Sequence, residues 1–238
     1  VTKEDQKVNG FIFQTNLLDQ PKNHDFGIDV YTRLLSKISS INGMRFIQIS
    51  GKAIENQNHS IGQGLSEMCS KLVYFIEKLS NGGCLIDRII SSMFFDLQIG
   101  DKFYLEIARI RSLRFLSTLI MKAYGLNKDF IVPIHITTQP KKDFEEISNS
   151  TQLMSAYLGG AYSASTSNEG QSSEKKRIAR NIINILNEEA YFDKTKNPIE
   201  GSYYIENLTE QIIKSTWKIF LENQSMGSLS FEDSLRNP

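Results

Sequence analysis

A chain of 238 residues spans about one to two domains, and 40% hydrophobic with 23% charged residues is an ordinary globular composition. Lys and Arg number 27 and so do Asp and Glu, so no basic excess argues for nucleic acid or an anionic membrane surface as partner. Cys69 and Cys84 are too few for a disulfide framework or a cysteine-rich zinc site, and no apolar run approaches the ~20 residues of a transmembrane helix, so the chain reads as cytoplasmic with two free buried thiols.

The chain opens on Val1-Thr2-Lys3-Glu4-Asp5, with no signal-peptide character and no initiator Met, which reads as an excised piece or a processed product. Phe11-Ile12-Phe13 is a first β-like run. From about Asp25, Val30, Leu34, Leu35 and Ile38 recur at helical spacing until Asn42-Gly43. Arg45 to Ile49 is a strand by composition. Ser60 to Leu79 is a long amphipathic helix, with Leu65, Met68, Leu72, Phe75, Ile76 and Leu79 on one face, and Asn81-Gly82-Gly83 breaks it.

Ile89-Ile90 to Leu97 then reads as a strand and Phe103 to Tyr124 as a helix, whose Arg109, Arg111 and Arg114 form a solvated or ion-paired face. Phe130 to Ile136 is the next strand and Asp143 to Leu158 its helix. Ala161 to Ser165 is a short strand, followed by a polar loop from Thr166 to Ser173. Glu174 to Tyr191 is a strongly patterned helix, and a last one over about Thr209 to Asn223 carries Trp217. Strands alternating with helices predict an α/β fold with parallel strands. About five such units are present, where a closed (β/α)8 barrel needs eight and ~250 residues. A complete doubly wound sheet and the later part of an eight-unit barrel both fit this periodicity.

Few residues specify chemistry. There is no Walker sequence and no Gly-x-Gly-x-x-Gly after a strand. Gly62 and Gly64 sit inside a helical pattern, and Gly82-Gly83 and Gly159-Gly160 read as helix caps. No pair of the three histidines has metal-ligand spacing. His24 and His59 read as surface residues. His135 falls near the C-terminal end of a strand, where α/β active sites gather, although a satisfied structural histidine is the plainer reading. Glu145-Glu146 and Glu188-Glu189 read as solvated helix charges.

Three stretches resemble landmarks of the methylmalonyl-CoA mutase family. Asn197-Pro198-Ile199-Glu200-Gly201-Ser202-Tyr203-Tyr204-Ile205-Glu206-Asn207-Leu208-Thr209 is similar to the family's Asp-Pro-x-x-Gly-Ser-Tyr-Tyr-x-Glu-x-Leu-Thr segment, and it follows Arg177-Ile178-Ala179-Arg180-Asn181 and Glu188-Glu189 at the family's spacing. Phe103 to Arg111 is close to its aromatic-aromatic-x-Glu-Ile-Ala-Lys-x-Arg helix, and Met154 to Ala161 is like the stretch before a late barrel strand. Order and spacing hold from about Gly10 to Gly227.

The resemblance implies that residues 1–238 supply the C-terminal portion, about five β/α units, of a TIM-type (β/α)8 acyl-CoA barrel. The family's cobalamin domain carries an Asp-x-His-x-x-Gly motif that this sequence lacks, so no cofactor is expected on this chain alone. Active members carry Ile-Ser-Gly-Tyr-His at the end of a middle strand, where the histidine polarises the thioester carbonyl. Here the sequence reads Ile49-Ser50-Gly51-Lys52-Ala53, and the acidic position three residues later is Asn56. Ser92 and Phe94 stand where the family has a CoA-contacting arginine and serine, and its Thr-, Ser-, Gly- and Trp-rich segment is shortened to Thr137-Thr138-Gln139-Pro140-Lys141. His135 alone matches a binding-site histidine, a candidate CoA- or adenosyl-side contact; no catalytic residue and no metal ligand is expected.

This pattern is similar to the family's small, non-catalytic subunit, which pairs with a large subunit that carries adenosylcobalamin and converts methylmalonyl-CoA to succinyl-CoA. Two rival readings are an active acyl-CoA mutase barrel of altered specificity, working with a separate cobalamin domain, and a plain binding scaffold. A partial barrel also leaves strand edges unpaired, so the isolated chain is expected to be unstable, to dimerise or to need the remainder of its barrel.

Overall fold

A computed structural model describes residues 10–11, 24–37, 44–51, 60–126, 131–139, 145–166, 173–190 and 197–225. In chain order these hold β1 (Gly10–Phe11), α1 (His24–Lys37), β2 (Met44–Arg45), β3 (Ile47–Ser50), α2 (Ile61–Asn81), α3 (Ile86–Ser91), β4 (Met93–Ile99), α4 (Phe103–Ala123), β5 (Ile134–Thr138), α5 (Glu145–Gly159), β6 (Ser163–Thr166), α6 (Ser173–Glu188) and α7 (Tyr203–Ser225). Expectations placed on Ile12, Phe13, Ile38, Asn42, Gly43, Phe130, Asp143 and Tyr191 lie outside the described residues.

All pairings are parallel. β1 pairs with β2, and the second sheet runs β3-β4-β5-β6. β2 and β3 are separated by Phe46 alone, and the Phe46 and Ile47 amides both donate to the Ser92 carbonyl at 2.9 Å. A doubly wound sheet reverses its strand order at a switch point and carries helices on both faces. Here the order never reverses, and successive crossover helices touch: α1 with α2, α2 with α4, α4 with α5, α5 with α6. They form one layer on one face, which is the arrangement of part of a (β/α)8 barrel and not of a doubly wound sheet.

Ile47, Ile49, Met93, Phe95, Leu97, Ile99, Ile134 and Ile136 alternate along the strands and join the helices in one apolar core. Cys69 is buried in it, and burial pushes its thiol up to about 12, as for an inert core residue, while Cys84 is half-buried. α2 begins where Ser60 forms a reciprocal capping box with Gln63. α7 lies over α2 and α4 as an outer layer. Gly62 permits that approach, because a Cβ there would lie 3.3 Å from Ile219 Cδ1 and Ser215 Oγ.

Boundaries shift where local chemistry overrides the apolar pattern. Ile89 and Ile90 belong to α3, and the strand starts only at Met93, because both side chains face the core from a short helix. β5 begins at Ile134, and residues 131–133 precede it, with the Pro133 carbonyl accepting from the Phe95 amide at 2.9 Å. α7 begins at Tyr203, six residues before Thr209, because Gly201 takes a left-handed φ of 81° and ends the turn at Asn197–Gly201.

Two of the α4 arginines are ion-paired, as expected, but the three do not form a solvated face. Arg109 is buried, donates to the Gln98 carbonyl of β4, and lies 3.1 Å from Glu106, whose other oxygen accepts from the Gly100 amide at 3.1 Å. Arg111 donates to Asn197 at 2.8 Å and to Glu206 at 2.6 Å. Arg114 donates to the Gly160 carbonyl. These side chains are fold contacts, because α4 packs against α2, α5 and α7 and its exposed stripe, Phe115, Leu119 and Lys122, runs beside them. Glu145 is likewise ion-paired, at 2.6 Å to Lys175. Arg111→Ala removes the bonds between α4 and the start of α7, and is expected to lower stability by about 1–2 kcal/mol after discounting the half-exposed Glu206. A lower urea midpoint in chemical denaturation checks this, and an unchanged midpoint contradicts it.

Candidate functional site

The second face of the sheet is polar. Gln48, Ser50, Phe94, Asp96, Gln98, His135, Thr137, Ser163 and Ser165 alternate with the core residues and therefore point away from the helix layer, toward the side that forms the lumen of a barrel. Register aligns them in rows. Ser50 pairs with Asp96, Asp96 with His135 and His135 with Ser163, so one polar row crosses all four strands. Thr137 aligns with Gln98 and Ser165 in the next row, and Gln48 with Phe94 in the row before.

Several of these groups satisfy one another, while Gln98 Oε1 is buried without a partner. Gln48 Nε2 donates to Asp96 Oδ2 at 2.5 Å, and Thr137 Oγ1 reaches Asp96 Oδ1 at 3.4 Å. His135 Nδ1 lies 2.7 Å from Ser163 Oγ and its Nε2 lies 3.0 Å from Ser165 Oγ. A neutral imidazole has one donor and one acceptor nitrogen, and the two hydroxyls match either tautomer. Asp96 has no exposed surface, and Gln48, Ser50 and His135 are buried. A buried carboxylate is tolerated only with such partners.

A Ser–His contact of 2.7 Å invites comparison with a nucleophile and its base. That chemistry also needs amide donors placed for an oxyanion, and here the neighbouring β5 and β6 amides belong to strand pairing. A histidine that held a cobalt ion would need an uncommitted imidazole nitrogen, and both nitrogens of His135 are engaged. Among the described residues no three His, Cys, Asp or Glu side chains gather as a metal site. The described side chains therefore do not fit the cobalamin ligand role.

His135 is the second residue of β5, not near its C-terminal end, so it sits within the wall rather than at the rim. Ala53 and Asn56 lie outside the described residues, as does His59; the side chain of His24 does too. Gly51, the last residue of the Ile49-Ser50-Gly51 match, closes β3: its amide donates to the Asp96 carbonyl at 2.8 Å, and a Cβ would come within 2.9 Å of Leu97 Cδ1. Ser92 caps α3, with its hydroxyl on the Arg88 carbonyl at 2.9 Å, while Phe94 is fully buried on the lumen face. The segment after β5 is fastened to α5, since Thr138 donates to Asn149 at 2.6 Å and Gln152 exchanges bonds of 2.8 and 3.0 Å with the Gln139 backbone.

Asp96, Gln48, Ser163 and Ser165 belong to none of the motifs above. Their signal is a polar residue at every second place of an apolar strand, as in Ile47-Gln48-Ile49 and Phe95-Asp96-Leu97.

Residues 28–231 match the family model described as methylmalonyl-CoA mutase. The chain is 28% identical over 92% of its length to the methylmalonyl-CoA mutase small subunit of Porphyromonas gingivalis. It is 25% identical over 77% of its length to the large subunit of the same organism, and 28% over 80% to the mitochondrial mouse mutase. It spans 37%, 28% and 26% of the lengths of those three proteins.

Asp96→Leu strands the Gln48 amide in a buried site and is expected to cost about 1–3 kcal/mol. The double variant Gln48→Leu/Asp96→Leu should cost less than the sum of the two single changes. Urea titration of the three variants measures this, and additive costs would show that the two side chains do not depend on each other.

Proposed function

Because the chain belongs to the methylmalonyl-CoA mutase family, we propose that it is a small-subunit-like component of a mutase that interconverts methylmalonyl-CoA and succinyl-CoA, and that its role is structural. The observation that carries this reading is the commitment of Asp96 and His135, in the lumen row, to neighbouring side chains. His135, the residue that matches a family binding-site histidine, has both nitrogens bonded to Ser163 and Ser165, so it presents no ready donor to a thioester. Ala53 and Asn56 stand where the family's histidine and acid are expected, and neither can polarise a carbonyl with a charged or N–H-bearing imidazole group. Similarity to a small subunit covers more of the chain than similarity to a large one from the same organism, 92% against 77%.

On this reading the adenosylcobalamin belongs to a large-subunit partner, whose radical chemistry the present chain supports without touching it. The rival reading, an active mutase barrel of altered specificity, draws on the retention of His135 in the lumen wall. Turnover separates the two. The chain with adenosylcobalamin and methylmalonyl-CoA should form no succinyl-CoA, and should bind and raise the melting temperature of the large subunit from the same source. Succinyl-CoA formed by the chain with free cofactor alone would sink the structural reading, and failure to bind the large subunit would remove the partnership.

A further inference from the structure

The outer helix layer carries a groove of about 710 Å³ between α4, the end of α5 and the first half of α7. Phe115, Leu119, Leu158 and Ile213 give it an apolar lining, and Phe115 and Leu119 are 55% and 38% exposed. Four cations, Arg111, Arg114, Lys122 and Lys214, meet two carboxylates, Glu206 and Glu210. Both carboxylates are already used: Glu206 pairs with Arg111 and Glu210 with Lys214, each at 2.6 Å. Among the described lining residues none remains for Arg114 or Lys122, although the whole chain has no net charge. Burial, and then the nearby Arg111 guanidinium, hold Arg114 below the usual arginine range. An approaching carboxylate would relieve both effects.

We propose that this groove seats an acidic segment of the large-subunit partner, one that presents a carboxylate to Arg114 and Lys122 beside a large apolar side chain on Phe115 and Leu119. The inference rests on the partnership proposed above and names its surface. A ring more than half exposed suits a segment laid along the helices better than an enclosed small molecule. The groove lies on the helix layer, opposite the lumen face, so an occupant leaves the polar rows undisturbed.

The test uses the full chain and the large subunit of the same source, with affinity measured by calorimetry at low and high salt. Phe115→Asp/Lys122→Glu changes two exposed side chains and is expected to weaken association by at least about tenfold. Lys37→Glu, on exposed α1, should leave affinity unchanged. Added salt should weaken the wild-type complex more than the complex of Lys122→Glu, which also carries the result if the double variant melts early. Wild-type binding with unaffected groove variants would overturn the groove while leaving the partnership intact. No wild-type binding would overturn the partnership and this inference together. Self-association of the chain that the groove variants abolish would assign the groove to a second copy and overturn the proposal as stated.

Discussion

Three arginines of one helix hold the architecture together. From α4, Arg109 reaches the carbonyl at the end of β4, Arg111 reaches the start of α7, and Arg114 reaches the turn that ends α5. Each guanidinium ties α4 to part-buried backbone or side-chain acceptors of another element. The three stretches that carry the family resemblance are the three that meet here: Phe103 to Arg111 is α4 itself, Asn197 to Thr209 leads into α7, and Met154 to Ala161 ends α5. Tyr104 and Tyr204 continue the contact, edge to face at 5.6 Å. Gly159 is needed because a Cβ there would lie 3.0 Å from Ile110, and Gly160 because its φ is 84°. The resemblance thus marks the joints of the fold rather than its chemistry.

With α4 fixed, β4 is fixed, and β4 lies inside the four-stranded sheet. Its two faces divide the labour. Met93, Phe95, Leu97 and Ile99 supply the core under the helices, while Phe94, Asp96 and Gln98 face the lumen. Asp96 gathers Gln48 from one neighbouring strand and Thr137 from the other, so the polar row also fixes strand register across the sheet. In this wall Asp96 and His135 are bonded to neighbouring side chains, and a fully buried phenyl ring, Phe94, stands in the row beside Gln48.

Much of this is legible in the amino-acid order. Helical periodicity places α2 and α4 closely, because each buries a long apolar stripe, and it places α5 although Asn149, Gln152 and Ser155 share its buried face. The strand-helix alternation gives parallel pairing, but periodicity cannot choose between an open sheet and part of a barrel, since both alternate identically; the unreversed order and the single helix layer decide it. Ile89-Ile90 misleads because a short buried helix and a buried strand share one composition. Arg109 is ion-paired as read, but its burial is not legible, and the acceptors of Arg111 lie 86 and 95 residues away. His135 is rightly read as satisfied, yet its partners Ser163 and Ser165 lie 28 and 30 residues away and no local pattern announces them.

If the proposed structural role holds, the lumen face takes no acyl-CoA. Calorimetric titration of the full chain with methylmalonyl-CoA tests it most directly. The account predicts no saturable heat at ligand concentrations well above those at which a large-subunit control saturates. Saturable binding by the chain alone, weakened by His135→Ala, would contradict it and restore the lumen as a working site.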